Sequence, residues 1–178
     1  MREVQFQGMT FEEMITPSQI SEIVSRVAEQ INNDYAGRQP LFICVLNGAF
    51  VFAADLYRKI TLPADITFVR LKSYTGMSHG EIRQVLPIYE DIRDRDVIVI
   101  EDIVDTGHSM HHFMKMLREQ GVRSAEICSF LFKPEALEEE DARPKYVGKE
   151  IPKRFIVGYG LDLDEQGRNL DAVYVLPN

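Results

Sequence analysis

Three carboxylates stand directly after the most apolar stretch of this 178-residue chain. Val97-Ile98-Val99-Ile100 runs into Glu101 and Asp102, Asp105 follows, and Thr106-Gly107-His108-Ser109 leads into a pattern of helical spacing. Residues 106–109 suit a phosphate: backbone N–H groups at a helix N-terminus bind anions, Gly107 allows close approach, and the Thr106 and Ser109 hydroxyls add donors. Glu101 and Asp102 only accept, so they suit a sugar diol or a hydrated Mg²⁺. One loop could therefore take both halves of a sugar phosphate. The plainer alternative makes the acids a solvated loop and Ser109 an ordinary helix cap. His108 and His112, four apart, also invite a metal, but no carboxylate motif accompanies them and the spacing alone does not support one. Phe113 and Met114 read as core.

The surrounding elements must place that loop. Thr16-Pro17-Ser18-Gln19 has the residues of a capping box with proline in the first turn. Ile20, Ile23, Val24, Val27, Ala28 and Ile31 then follow helical spacing, and Gly37 lies just past the end. Residues 41–46 form a continuous apolar run, as in a strand covered on both faces, and Asn47-Gly48-Ala49 breaks it. The pattern predicts a helix over 50–60, a strand over 66–72, a polar loop with Gly76 and Gly80 over 73–84, and a strand over 96–100 ending in an acidic loop. A helix marked by Met110, Phe113, Met114 and Leu117 stops at Gly121. Strands over 127–132, 155–157 and 173–176 complete the reading, with 137–149 charged and irregular. Strands alternating with helices give an α/β fold with a mostly parallel central sheet flanked by helices. Ligands of such sheets sit beyond the carboxyl ends of the strands, which singles out 47–49 and 101–109.

Composition narrows the class. With 45% apolar and 27% charged residues the chain is an ordinary globular one, and no segment reaches the ~20 apolar residues that span a bilayer. The net charge of -8 argues against broad contact with nucleic acid or an anionic membrane. Cys44 and Cys128 each sit in an apolar run and read as buried free thiols. The N-terminal residues lack the features of a signal or transit peptide, so the expected address is the cytoplasm.

The segment 97–109 closely resembles the phosphoribosyl pyrophosphate signature of the type I phosphoribosyltransferases, and Glu101-Asp102-Ile103-Val104-Asp105-Thr106-Gly107 is similar to its hypoxanthine-guanine form. Further segments agree in family order. Val45-Leu46-Asn47-Gly48-Ala49-Phe50 resembles the pyrophosphate loop, and Arg70-Leu71-Lys72-Ser73-Tyr74 resembles the approach to the catalytic lid. Lys133, then Glu150-Ile151-Pro152 and Phe155-Ile156-Val157-Gly158-Tyr159-Gly160-Leu161-Asp162, resemble the purine-binding hood, and Arg168 follows at the family spacing. The resemblance spans roughly residues 40–170, and several ordered motifs are far more specific than one.

The resemblance implies a single domain over 1–178 with a small hood, mainly from about 133–178. It implies transfer of the 5-phosphoribosyl group of phosphoribosyl pyrophosphate to N9 of hypoxanthine, and of guanine, with Mg²⁺ as cofactor. Asp105 would be the base near N7. Glu101 and Asp102 would take the ribose hydroxyls, and Thr106, Gly107, His108 and Ser109 the 5-phosphate. Lys133 would donate to O6, Phe155 would stack on the purine, and Ile156 and Ile103 would complete its pocket. Asn47, Gly48 and Arg168 would meet pyrophosphate, Asp162 would ligate the metal together with Glu101 and Asp102, and Ser73 and Tyr74 would close the lid. A homodimer or homotetramer is expected by analogy. Taken singly, Phe155 could be core, Lys133 a surface cation and Arg168 one half of a surface ion pair. Asn47 stands where many relatives carry a basic residue, and His108 where some carry lysine. Two other readings, an RNA-binding regulator and a receiver-type signalling domain, fit less well: the first lacks a basic stripe, and the second does not account for the phosphate cradle with Lys133 and Arg168.

Overall fold

The computed structural model describes residues 2–73 and 82–177. Two sheets carry the fold. The larger has six strands in the order β5-β4-β3-β6-β7-β8: β3 (Leu41–Leu46), β4 (Asp65–Ser73), β5 (Ile82–Leu86), β6 (Asp96–Val104), β7 (Ser124–Phe132) and β8 (Tyr146–Glu150). All its pairings are parallel except β4 with β5.

Alternation along the central strands divides the core into two faces. Phe42, Cys44, Ile98, Ile100 and Phe130 pack under α1 (Pro17–Asp34) and α2 (Phe50–Tyr57). Leu41, Ile43, Val45, Val97 and Val99 pack under α3 (His108–Glu119). A strand covered on both faces has no reason to alternate, which is why 41–46 and 97–100 read as unbroken apolar runs. The α1 capping box is formed: Thr16 Oγ1 accepts from the Gln19 N–H at 3.3 Å, and Gln19 Oε1 accepts from the Thr16 N–H at 2.9 Å.

The smaller sheet is antiparallel, in the order β1-β2-β10-β9: β1 (Glu3–Phe6), β2 (Met9–Ile15), β9 (Ile156–Val157) and β10 (Val173–Val175). Two of its strands come from the N-terminal residues, where the sequence pattern gave no strand. Its Ile15, Ile156, Val173 and Val175 join the same buried cluster as α1 and α2. The smaller sheet is thus held from both ends of the chain.

Three expectations change. The strand expected over 96–100 continues to Val104, so Glu101 and Asp102 belong to β6 rather than to a loop; pairing with β7 carries on through Glu101 with Ser129, Ile103 with Leu131 and Val104 with Phe132. Residues 146–149, taken as irregular, lie in β8, an edge strand whose Lys149 and Glu150 are exposed. Of residues 73–84, taken as loop, Ser73 ends β4 and 82–84 lie in β5, while 74–81 lie outside the described residues. Within the described residues no helix is long and apolar enough to cross a membrane.

Candidate active site

The site assembles where β3 and β6 end. Extension of β6 carries Glu101 and Asp102 to the carboxyl edge of the sheet, and the chain then turns through Asp105 and Thr106 into α3. Gly107 caps that helix with φ of 87°, a left-handed conformation that disfavours a side chain. The cap is therefore Gly107 and not Ser109, which lies inside the first turn. A Cβ on Gly107 would sit 2.9 Å from Leu137 Cδ1 and 3.0 Å from Ala142 Cβ, so the segment after β7 closes over the turn. Thr106 O accepts from the Glu138 and Glu139 N–H groups at 2.9 and 3.3 Å, fixing that cover. Glu101, Ile103, Asp105, Thr106, Gly107, His108 and Ser109 together line a cavity of about 160 Å³, the size of a small polar group.

The acids differ in surroundings. Burial drives both the Glu101 and Asp102 carboxyls above the usual carboxylate range, and for Glu101 the neighbouring Asp102 charge adds to it. Glu101 Oε2 is buried with no hydrogen-bond partner, while Asp102 Oδ1 accepts from the Ile103 N–H at 2.8 Å. Asp105 is more open. Its Oδ2 receives a hydrogen bond from Lys133 Nζ at 2.8 Å, and Lys133 itself is buried. The lysine is therefore no surface cation.

The loop after β3 docks against this edge through glycines. A Cβ on Gly48 would lie 1.7 Å from Asp102 Oδ2, so any other residue there would have to displace the Asp102 carboxylate. Gly160, with φ of 98°, backs onto Gly48 O, which a Cβ would meet at 2.1 Å. Tyr159 O–H donates to Asp55 Oδ2 at 2.7 Å and ties this turn to α2. The sequence names Tyr159 and Gly160 only within the hood resemblance and gives them no role of their own; the Gly-Tyr-Gly spacing, which recurs as left-handed φ at all three positions, is the available signal. Arg168 then completes the wall: its guanidinium donates to Gly160 O at 2.8 Å and pairs with Asp162 Oδ1 at 2.8 Å. It is an internal strut rather than a surface ion pair. Its Nε is buried without a partner.

Other expected residues lie apart from this core. Phe155 precedes β9, is 47% exposed, and meets Phe11 with ring centroids 6.1 Å apart. It is not core. Ile156 is buried in β9. The His108 ring points to Glu138 Oε2 at 2.9 Å and Glu139 Oε1 at 3.2 Å rather than into the cradle. Asn47 is half-buried, and its carbonyl accepts from the Phe50 N–H at 3.4 Å. Ser73 closes β4, and Tyr74 lies outside the described residues.

A parallel sheet with paired acids at one strand end and a glycine-capped helix beyond them defines a phosphoribosyltransferase, and the family model of the phosphoribosyl transferase domain matches residues 13–164. Similar proteins include the hypoxanthine-guanine phosphoribosyltransferase of Streptococcus thermophilus, 39% identical over 160 residues that span 87% of this chain and 88% of the relative. That of Mycobacterium tuberculosis is 37% identical over 92% of this chain and 84% of the relative. The crystal structure of a Bacillus anthracis hypoxanthine-guanine phosphoribosyltransferase superposes with a TM-score of 0.89 at 35% identity, over 93% of this chain and 98% of the other. The chain belongs to the hypoxanthine-guanine phosphoribosyltransferase family.

Proposed function

We propose that the protein joins hypoxanthine, and guanine, to the ribose 5-phosphate of phosphoribosyl pyrophosphate, releasing IMP or GMP and pyrophosphate in purine salvage. The observation that carries this reading is the Lys133–Asp105 pair at 2.8 Å beside the phosphate cradle. O6 and N7 are neighbours on one edge of a purine, and O6 accepts while N7–H donates. An ammonium beside a carboxylate matches that order. The base would enter between them, with Lys133 turning to O6 and Asp105 to N7.

In this reading the N9 lone pair attacks C1′, the bond from C1′ to pyrophosphate breaks, and the N7 proton passes to Asp105. The backbone at Thr106, Gly107, His108 and Ser109 with the two hydroxyls holds the 5-phosphate, and Glu101 and Asp102 take the ribose hydroxyls. The developing positive charge at C1′ then faces carboxylates. Asn47 and Gly48 border the leaving group through their backbone. Arg168 shifts from Asp162 toward pyrophosphate. Phe155 and Ile156 cover the purine with Ile103 below, and Ser73 and Tyr74 exclude water.

A dication fits the donor set, since the unpartnered Glu101 Oε2, with Asp102 and Asp162, offers hard oxygen atoms. Mg²⁺ would neutralise pyrophosphate as it leaves. We place the protein in the cytoplasm, as a homodimer or homotetramer, with no nucleic-acid or membrane partner. The test is a spectrophotometric assay of hypoxanthine, guanine, xanthine and adenine with phosphoribosyl pyrophosphate and Mg²⁺. Turnover of hypoxanthine with little of adenine is expected; adenine as the preferred base would overturn the reading.

A further inference from the structure

Beside the phosphate cradle, on the outer side of the turn, two imidazoles and three carboxylates converge from separate segments. His108 and His111 lie on the first turn of α3, and Glu138, Glu139 and Asp141 lie on the segment that closes over Gly107. His111 Nδ1 stands 2.7 Å from Asp141 Oδ1 and 3.8 Å from Glu139 Oε2. Ligand atoms of His111, Glu139 and Asp141 all fall within 4.8 Å of one another. Glu139 offers its second oxygen to His108 Nδ1 at 3.2 Å, and His108 Nε2 meets Glu138 at 2.9 Å. His112 takes no part beyond an edge contact with the His111 ring.

We propose that His111, Glu139 and Asp141 form a binding site for a borderline transition dication of the Zn²⁺ class, with His108 holding Glu139 from behind. Three facts carry the assignment. The set mixes imidazole nitrogen with carboxylate oxygen, the donor combination that Zn²⁺, Co²⁺ and Ni²⁺ take and Mg²⁺ does not favour. The ligands come from two chain segments whose spacing is already fixed by the bonds from Glu138 and Glu139 to Thr106 O, so little ordering is left for the ion to impose. The charges also leave room for it: three carboxylates face two histidines and, at 3.7 Å from Asp141, one cation, Arg118. The His111 hydrogen bond lowers the pKa of the Asp141 carboxyl. The sequence pattern offers His108 and His112 as a helical pair without acids; the fold supplies the acids but selects His111 instead.

The site is distinct from the oxygen-donor set at Glu101, Asp102 and Asp162. An ion here would staple the start of α3 to the cover of the cradle. Its test needs no substrate. Wild-type protein, stripped with chelator, is titrated with Zn²⁺ by calorimetry in excess Mg²⁺, alongside His111→Ala, Asp141→Asn and His112→Ala. One equivalent of Zn²⁺ should bind without competition from Mg²⁺ and raise the melting temperature. His111→Ala and Asp141→Asn should each weaken binding more than the about 10–100-fold typical of losing an outer partner of a ligand, and His112→Ala should bind as wild type does. Absence of Zn²⁺ binding, or equal binding by His111→Ala, overturns the site; loss confined to His112→Ala would return it to the helical pair.

Discussion

The two acidic regions of the site are built on opposite plans. Glu101 and Asp102 sit half-buried at the end of a central strand, with one buried oxygen of Glu101 unpartnered. Asp105 stands a few residues on, partly open and already matched by Lys133. Unpaired buried carboxyls escape the cost of burial by holding their protons, and they become useful when a cation or a hydroxyl arrives. A paired carboxylate is ready at once, but its partner must be drawn away before it can take a proton. The first plan stores an unmet need for ligand, and the second stores a pair that, in the proposed reading, the purine edge replaces.

The comparison breaks most plainly at Asp105. Asp105→Asn keeps the shape and the contact to Lys133 but removes the base, so kcat should fall by about 10²–10⁴ with little change in the KM for phosphoribosyl pyrophosphate. Wild-type kcat in steady-state assays would remove Asp105 from its role. Lys133→Met should cost hypoxanthine about 1.5–3 kcal/mol in kcat/KM, the worth of a hydrogen bond to a charged group, while the trace of adenine turnover holds or rises. Equal losses for both bases in competition assays would mean that Lys133 does not read position 6.

On the other side, Gly48→Ala drives a Cβ into Asp102. Overpacking of this kind costs about 1–3 kcal/mol, seen as a lower melting temperature together with weaker phosphoribosyl pyrophosphate binding; an unchanged melting temperature would show that the loop swings free. Asn47→Lys should strengthen inhibition by pyrophosphate by about 1–2 kcal/mol, because a charged donor replaces a neutral one. No gain would leave binding there to the backbone alone. The smallest effect is expected at Glu101. Glu101→Gln removes a buried acid, so the free protein should melt slightly higher while its affinity for phosphoribosyl pyrophosphate drops. A lower melting temperature would mean that the carboxyl is stabilising as it stands.

How far the sequence carries depends on what each element answers to. Local chemistry was readable. The Thr16–Gln19 box, the apolar runs of β3 and β6, and the acids before Thr106 and Gly107 follow from neighbours in the chain. Elements defined by a distant partner were not. β1 and β2 are strands because β10 pairs with β2, and β8 because β7 offers it an edge; neither has a strong pattern of its own. The end of β6 was misplaced for the same reason, since pairing with β7, and not hydropathy, carries it through Glu101. In the site, Gly160 against Gly48 and Tyr159 on Asp55 are contacts across more than a hundred residues, and no spacing rule reaches that far. Family resemblance closed part of the gap by bringing Lys133 and Asp105 into one picture before any distance was known.

The two thiols carry a separate consequence. Cys44 and Cys128 flank the same residue, Ile100, from strands on opposite sides of β6. With strands about 4.8 Å apart, they sit beyond the roughly 7 Å that a disulfide can bridge. Both are buried, and burial pushes Cys44 up to about 12 and Cys128 higher still, so neither is a thiolate while the sheet is closed. Alkylating reagents therefore meet them only when the central strands come apart. The chain carries its own unfolding clock: at a fixed reagent concentration, the rate at which the two sulfurs are capped counts openings of the whole central sheet.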